Sequence, residues 1–138
     1  MKITGLLVAY VDQPNINGVI YDRKAMEKAI ADYQTKIDEG KALGELAIGV
    51  GDETGLSVNF ERVSHMITGV RIEGNNVVGD IKVLDTPMGN ILKQLMEFHG
   101  SGFRLGVRGI GTVNDQNVCT DFEIVSVDIL NNEKCIKD

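Results

Sequence analysis

The side chains in this chain best suited to nucleophilic chemistry are the serines Ser57, Ser64, Ser101 and Ser126 and the histidines His65 and His99. A hydroxyl attacks well only with a base inside hydrogen-bond reach. Ser64 and His65 are sequence neighbours, and neighbours on a strand point to opposite faces, so the pair is not expected to act on one substrate. Gly55-Leu56-Ser57-Val58-Asn59 lacks the second glycine of a nucleophile elbow. Ser101 lies between glycines and two residues from His99, which gives it the most exposed setting of the four.

Metal binding needs converging ligands, usually close-spaced pairs. His65 and His99 are 34 residues apart and Cys119 and Cys135 are 16 apart, so no metal site is expected. His65 reads as a satisfied side chain on a hairpin, and His99 as a cation at a helix C-terminus, where the dipole favours it. Cys119 and Cys135 form either one disulfide or, more simply, two thiols in a reducing compartment. Glycines 100, 102, 106, 109 and 111 are five residues of a twelve-residue stretch. Neither the G-x-x-x-x-G-K-[ST] nor the G-x-G-x-x-G spacing of phosphate loops occurs. Tight packing accounts for the glycines, and no cofactor is expected.

The elements around these residues follow from periodicity. Residues 3–11 read as a strand, and Asp12-Gln13-Pro14-Asn15-Ile16-Asn17-Gly18 as a loop. Met26, Ala29, Ile30, Tyr33 and Ile37 recur at helical spacing from Arg23 to Ile37, with Asp22 as the N-cap and Gly40 as the stop. Residues 43–50 suggest a short strand. Residues 63–73 and 77–84 flank the turn Gly74-Asn75-Asn76 as a hairpin. Thr86-Pro87 opens a second helix, with Met88, Ile91, Leu92, Leu95 and Met96 as its buried stripe and Gly100 as its end. The last strand runs from Val118 to Leu130. The class is α+β, a mostly antiparallel β-sheet or barrel with two main helices.

A chain of 138 residues, 43% hydrophobic and 25% charged, fits one soluble domain with a true core. Twenty acids against fourteen bases give a net charge of −6. The bases are scattered apart from Arg23-Lys24, so nucleic acid is not an expected partner. No apolar run reaches the roughly 18 residues of a membrane span, and the N-terminus reads as a strand, not a signal peptide. A cytoplasmic origin is expected.

Several strings, in order, resemble the prohead maturation proteases of tailed phages, serine proteases with the herpesvirus-assemblin-like fold. They are Gly18-Val19-Ile20-Tyr21, the helix from Met26 to Tyr33, Ala42-Leu43-Gly44-Glu45-Leu46, Arg62-Val63-Ser64-His65-Met66-Ile67, Glu73-Gly74-Asn75-Asn76-Val77-Val78-Gly79, Leu84-Asp85-Thr86-Pro87-Met88-Gly89 and Leu105-Gly106-Val107-Arg108-Gly109-Ile110-Gly111-Thr112-Val113. The resemblance covers about residues 1–130, taken as a single protease-like domain, with 131–138 as a C-terminal tail. It implies a catalytic histidine soon after Gly-Glu-Leu and a nucleophilic serine between Gly-Val and Arg-Gly. Here Glu45-Leu46 runs on through Ala47-Ile48-Gly49-Val50 with no histidine before His65, and Val107 joins Arg108 directly.

The departures imply a pseudoenzyme with no catalytic residues. The expected role is a non-enzymatic virion protein, a decoration or stabilising protein on the capsid shell. It would be made in the host cytoplasm and would bind the major capsid protein or other virion proteins as a homo-oligomer or in many copies. One alternative is an assembly-stage component of the prohead core or a regulator of an active protease. Another is a protease with relocated groups, His99 and Ser101. The loop from Gln13 to Gly18, the segment from Gly49 to Gly55 and the tail from Asn131 to Asp138 are candidate contact surfaces. Arg108 is expected to pair with an acid such as Glu45.

Overall fold

The computed structural model describes residues 1–15, 17–47, 57–99 and 103–131, without the side chains of residues 98, 99 and 131. Two sheets form its frame. The first has four strands in the order β1 (Lys2–Tyr10), β5 (Asn76–Val83), β4 (Val63–Glu73) and β3 (Leu43–Glu45), each antiparallel to its neighbour. The second has β2 (Ile20–Tyr21), β7 (Val118–Asn131) and β6 (Phe103–Val113), with β2 parallel and β6 antiparallel to β7. The α+β class, with mostly antiparallel strands and two main helices, is the one expected.

The first helix, α1 (Arg23–Asp38), begins where Asp22 accepts from the Ala25 amide at 3.2 Å. It ends in a Schellman turn, with Lys41 donating to the Lys36 carbonyl and Gly40 to that of Ile37. Ala25, Met26, Ala29 and Tyr33 form its buried face, against β7 and β4. The β4–β5 hairpin turns at Gly74-Asn75, since Glu73 pairs with Asn76.

In the second helix, α2 (Pro87–His99), Thr86 Oγ1 accepts from the Gly89 amide and donates to the Val63 carbonyl, which ties the helix start to β4. Leu92 is fully buried, and Met88 and Met96 pack against the core. Ile91 departs from expectation and is 43% exposed. An apolar stripe one residue too wide for its groove leaves its outer member in water.

Ile67 and Ile81 from the first sheet and Leu105, Val127 and Ile129 from the second are buried in one core. The chain after β3 joins the sheets. Leu46 forms a parallel bridge with Ile129, and Ala47 donates to the Ile129 carbonyl at 2.9 Å. The short strand is therefore only three residues long within its sheet, because the backbone turns to β7 at Leu46. A 3-10 turn, η1 (Phe60–Arg62), leads into β4 and was not foreseen from periodicity.

Candidate functional site

Three groups far apart in sequence build the site, and β3, crossing between the sheets, brings the first two together. The first is Ser64 with His65. Gly44 pairs with His65 and Glu45 with Val63, so the register steps over Ser64 and makes it a bulged residue. A bulge re-aims the side chain it carries. Instead of pointing away from its neighbour, Ser64 Oγ lies 2.7 Å from His65 Nδ1. The expectation that the two side chains would be held apart by strand alternation is corrected here.

The other ring nitrogen, Nε2, is 2.8 Å from the Val127 carbonyl oxygen. A carbonyl only accepts, so Nε2 carries the proton and Nδ1 receives the Ser64 hydroxyl hydrogen. Burial pushes the imidazole down to about 4, against the pull of the Val127 carbonyl, so it is neutral at pH 7. This is the electronic arrangement of a base-activated hydroxyl. Both residues are 0% exposed, however, and no substrate carbonyl reaches Oγ in this conformation.

Gly44 makes the arrangement possible. A Cβ at that position would lie 2.1 Å from His65 Nε2 and 2.2 Å from the Val127 oxygen. The glycine of the Gly44-Glu45-Leu46 string is therefore required by the imidazole beneath it.

The second group is Arg108 with Glu45, Asp128 and Ser126. Arg108 faces Ser126 across the β6–β7 ladder, and Gly106 faces Asp128. The guanidinium places Nη2 at 2.5 Å from Glu45 Oε2 and Nε at 3.2 Å from Asp128 Oδ2 and 3.0 Å from Ser126 Oγ. All three charged side chains are 12% exposed or less. Asp128 also accepts from the Glu45 amide and the Ser126 hydroxyl, both at 3.0 Å. Burial pushes its carboxyl up, the donors from Glu45, Arg108 and Ser126 oppose that, and the Glu45 charge adds to it.

The same network reaches the chain before η1. Glu45 Oε2 accepts from the Asn59 amide at 3.0 Å, and Arg108 Nη1 donates to the Ser57 carbonyl at 3.3 Å. The Arg108–Glu45 pair was expected from the sequence, whereas the parts played by Asp128 and Ser126 were not. The available signal was a lone carboxylate flanked by Val127 and Ile129 in an apolar run, since a buried acid needs partners.

The third group is the glycine series of β6. Gly106 gives space to the Leu130 side chain, and Gly109 and Gly111 lie under Phe122. Each glycine answers a cross-strand neighbour, and Val107 continues straight into Arg108 along a regular ladder.

His99 is the last residue of α2, and Ser101 lies outside the described residues, as do Cys135, residues 49–55 and residues 132–138. Cys119 is a buried free thiol. In the loop before β2, Asn15 Oδ1 accepts from the amides of Asn17 and Val19 and Pro14 bridges to Ile20, so this loop is a built turn; Ile16 is outside the described residues. Among the described residues no group of three His, Cys, Asp or Glu side chains is placed to hold a metal ion, and no helix is long and apolar enough to cross a membrane.

Comparison with known proteins fits this architecture. The family model of the prohead core protein serine proteases matches residues 2–131. The capsid assembly protease of bacteriophage T4 superposes with a TM-score of 0.81 at 24% identity, over 95% of this chain and 82% of that one. No curated protein sequence matches the chain. The expectation of a capsid decoration protein is thereby overturned. The family match runs nearly end to end through a capsid assembly protease fold, and neither comparison points to a shell-binding protein. The decoration reading had turned departures from two family strings into a change of workplace, and such departures carry no information on where a protein acts.

Proposed function

We propose that this chain, which belongs to the prohead core protein serine protease family, works inside the prohead during capsid assembly as a core component whose protease-fold centre is bonded shut. The observation that carries this reading is the network on Arg108. Where the family resemblance calls for a nucleophile, Val107 joins Arg108 directly, and that arginine is bound to Glu45, Asp128 and Ser126 across three strands. Ser126 is itself 0% exposed and donates to Asp128. A hydroxyl donating to a carboxylate that an arginine already pairs is spent on structure. On this reading the partners are other prohead proteins, capsid subunits among them, and the chain regulates or holds an assembly core without cutting it.

A second reading, an active prohead protease, is favoured by one observation, the 2.7 Å contact between Ser64 Oγ and His65 Nδ1. Exposing that pair requires β3 to lift from β4 and β7.

One experiment separates the two. The purified chain is incubated with a fluorophosphonate serine probe, and separately with prohead core and capsid proteins, and followed by intact-mass spectrometry. The core-component reading expects no adduct and no cleavage. An adduct or cleavage that disappears in Ser64→Ala would replace it with the protease reading.

A further inference from the structure

The β6–β7 hairpin extends past the core on one side, and its outer edge is unlike the rest of the molecule. The first half of β6 is covered: Leu105 is fully buried, and Arg104 donates through Nη2 to the Val8 carbonyl of β1 at 3.1 Å. Beyond Arg108 the cover ends. Residues 109–113 are all exposed, and Ile110 and Val113 are 48% and 45% accessible. Gly109 through Thr112 pair in regular register with Ile124 through Asp121, and among the described residues β6 is the last strand of its sheet. Every second residue of an edge strand aims its N–H and C=O away from its sheet. Proteins usually blunt an edge of this kind with lysine or proline. From Gly109 to Asn131 the sequence contains no Lys, Arg or Pro.

Charge singles out the same place. Glu123 stands opposite Ile110 and Asp121 opposite Thr112, Asp115 lies at the hairpin tip, and all three are exposed. None of the three takes part in an ion pair among the described residues. Among the described residues, the hairpin thus presents an uncovered strand edge with two apolar side chains, flanked by carboxylates and by no cation.

We propose that the edge of β6 at residues 109–113 takes an extended polypeptide segment in which Lys or Arg alternates with apolar residues, added as a further strand. The backbone bonds supply the docking and the side chains the choice of partner. Neighbouring strands lie about 4.8 Å apart, so a lysine on the added strand reaches across Ile110 to Glu123, its stem on the isoleucine and its ammonium at the carboxylate. A second copy of the chain is disfavoured at this edge, because it would bring the same carboxylates together. The inference does not depend on whether the chain cleaves.

The test uses the full chain and a labelled, capped peptide of about ten residues with Lys alternating with Val, read by fluorescence anisotropy and by hydrogen exchange. The expected result is binding that weakens with salt and slows exchange at residues 109–113. Asp121→Lys combined with Glu123→Lys should weaken binding about tenfold or more while leaving the melting temperature near that of the parent. Equal binding by a Glu/Val peptide, equal binding by a proline-interrupted Lys/Val peptide, or unchanged binding by the charge-reversed chain would each overturn the proposal. So would protection of residues 109–113 by concentration alone, which would give the edge to a second copy.

Discussion

Arg108 on β6 holds Glu45 on β3 through Nη2 and Oε2 at 2.5 Å, and the same guanidinium reaches Asp128 on β7. One cation on β6 therefore serves two nearly buried carboxylates, one on β3 and one on β7, and so ties both sheets together. Arg108→Ala leaves both acids unpaired, and removing one partner of a buried pair costs about 3–5 kcal/mol. Urea denaturation should show a loss near the lower end of that range. Arg108→Lys should recover only part of it, since an ammonium lacks the fork that serves Glu45 and Asp128 together. Full recovery by lysine would mean that charge alone matters at this position.

Gly44→Ala tests the close approach of β3 to the imidazole. A methyl placed 2.1 Å from His65 Nε2 cannot be accommodated by a flexible side-chain end, because the Val127 backbone oxygen stands equally near. The variant should lose about 3 kcal/mol or more, or fail to fold. A loss below about 1 kcal/mol would show that the imidazole is not fixed where it lies.

His65 should make stability depend on pH. Its folded value is about 4, below the ordinary 6.5 of the unfolded chain. As pH falls from above 6.5 towards 4, the unfolded chain takes up a proton that the folded chain refuses. The stability is thus complete above 6.5 and falls across that window by about 3 kcal/mol, levelling off below 4. Asp128, raised by burial, acts with the opposite sign and does so in parent and variant alike. Denaturant midpoints of the parent and of His65→Gln at pH 7.5 and pH 4.5 isolate the histidine. The parent should lose more than the variant, and equal slopes would contradict the neutral, buried imidazole.

Tyr33 on α1 is 2% exposed, and its hydroxyl has no hydrogen-bond partner among the described residues. Burial and the charge of Asp128 raise its pKa, so the phenol stays protonated. A buried polar atom left unsatisfied costs about 1–3 kcal/mol, so Tyr33→Phe should raise the melting temperature. A lowered melting temperature would mean that the hydroxyl is bonded in solution, for example to a buried water.

The parts of the molecule legible in the sequence are those set by near neighbours. Asp22 three residues before Ala25, Thr86 before Pro87, and Gly74-Asn75 between two β-branched runs each carry their own local bonding, and each ends or begins an element as read. The Arg108–Glu45 pair was legible for a different reason: both residues stand in strings of the recognised family. Contacts made across the chain were not. The bulge at Ser64 depends on how β3 registers against β4, and the role of Asp128 on an amide and two side chains brought by three strands. Composition and spacing do not encode such meetings. The step from the departures at Leu46-Ala47 and Val107-Arg108 to a shell protein failed as well, since no surface residue supported it.

The most direct test of an assembly-stage role is to count this chain by quantitative mass spectrometry in proheads and in mature particles of the phage that encodes it. A core component should be present in many copies in proheads and lost, or reduced to a few, in mature particles. Hundreds of intact copies retained in mature particles would contradict the proposed function.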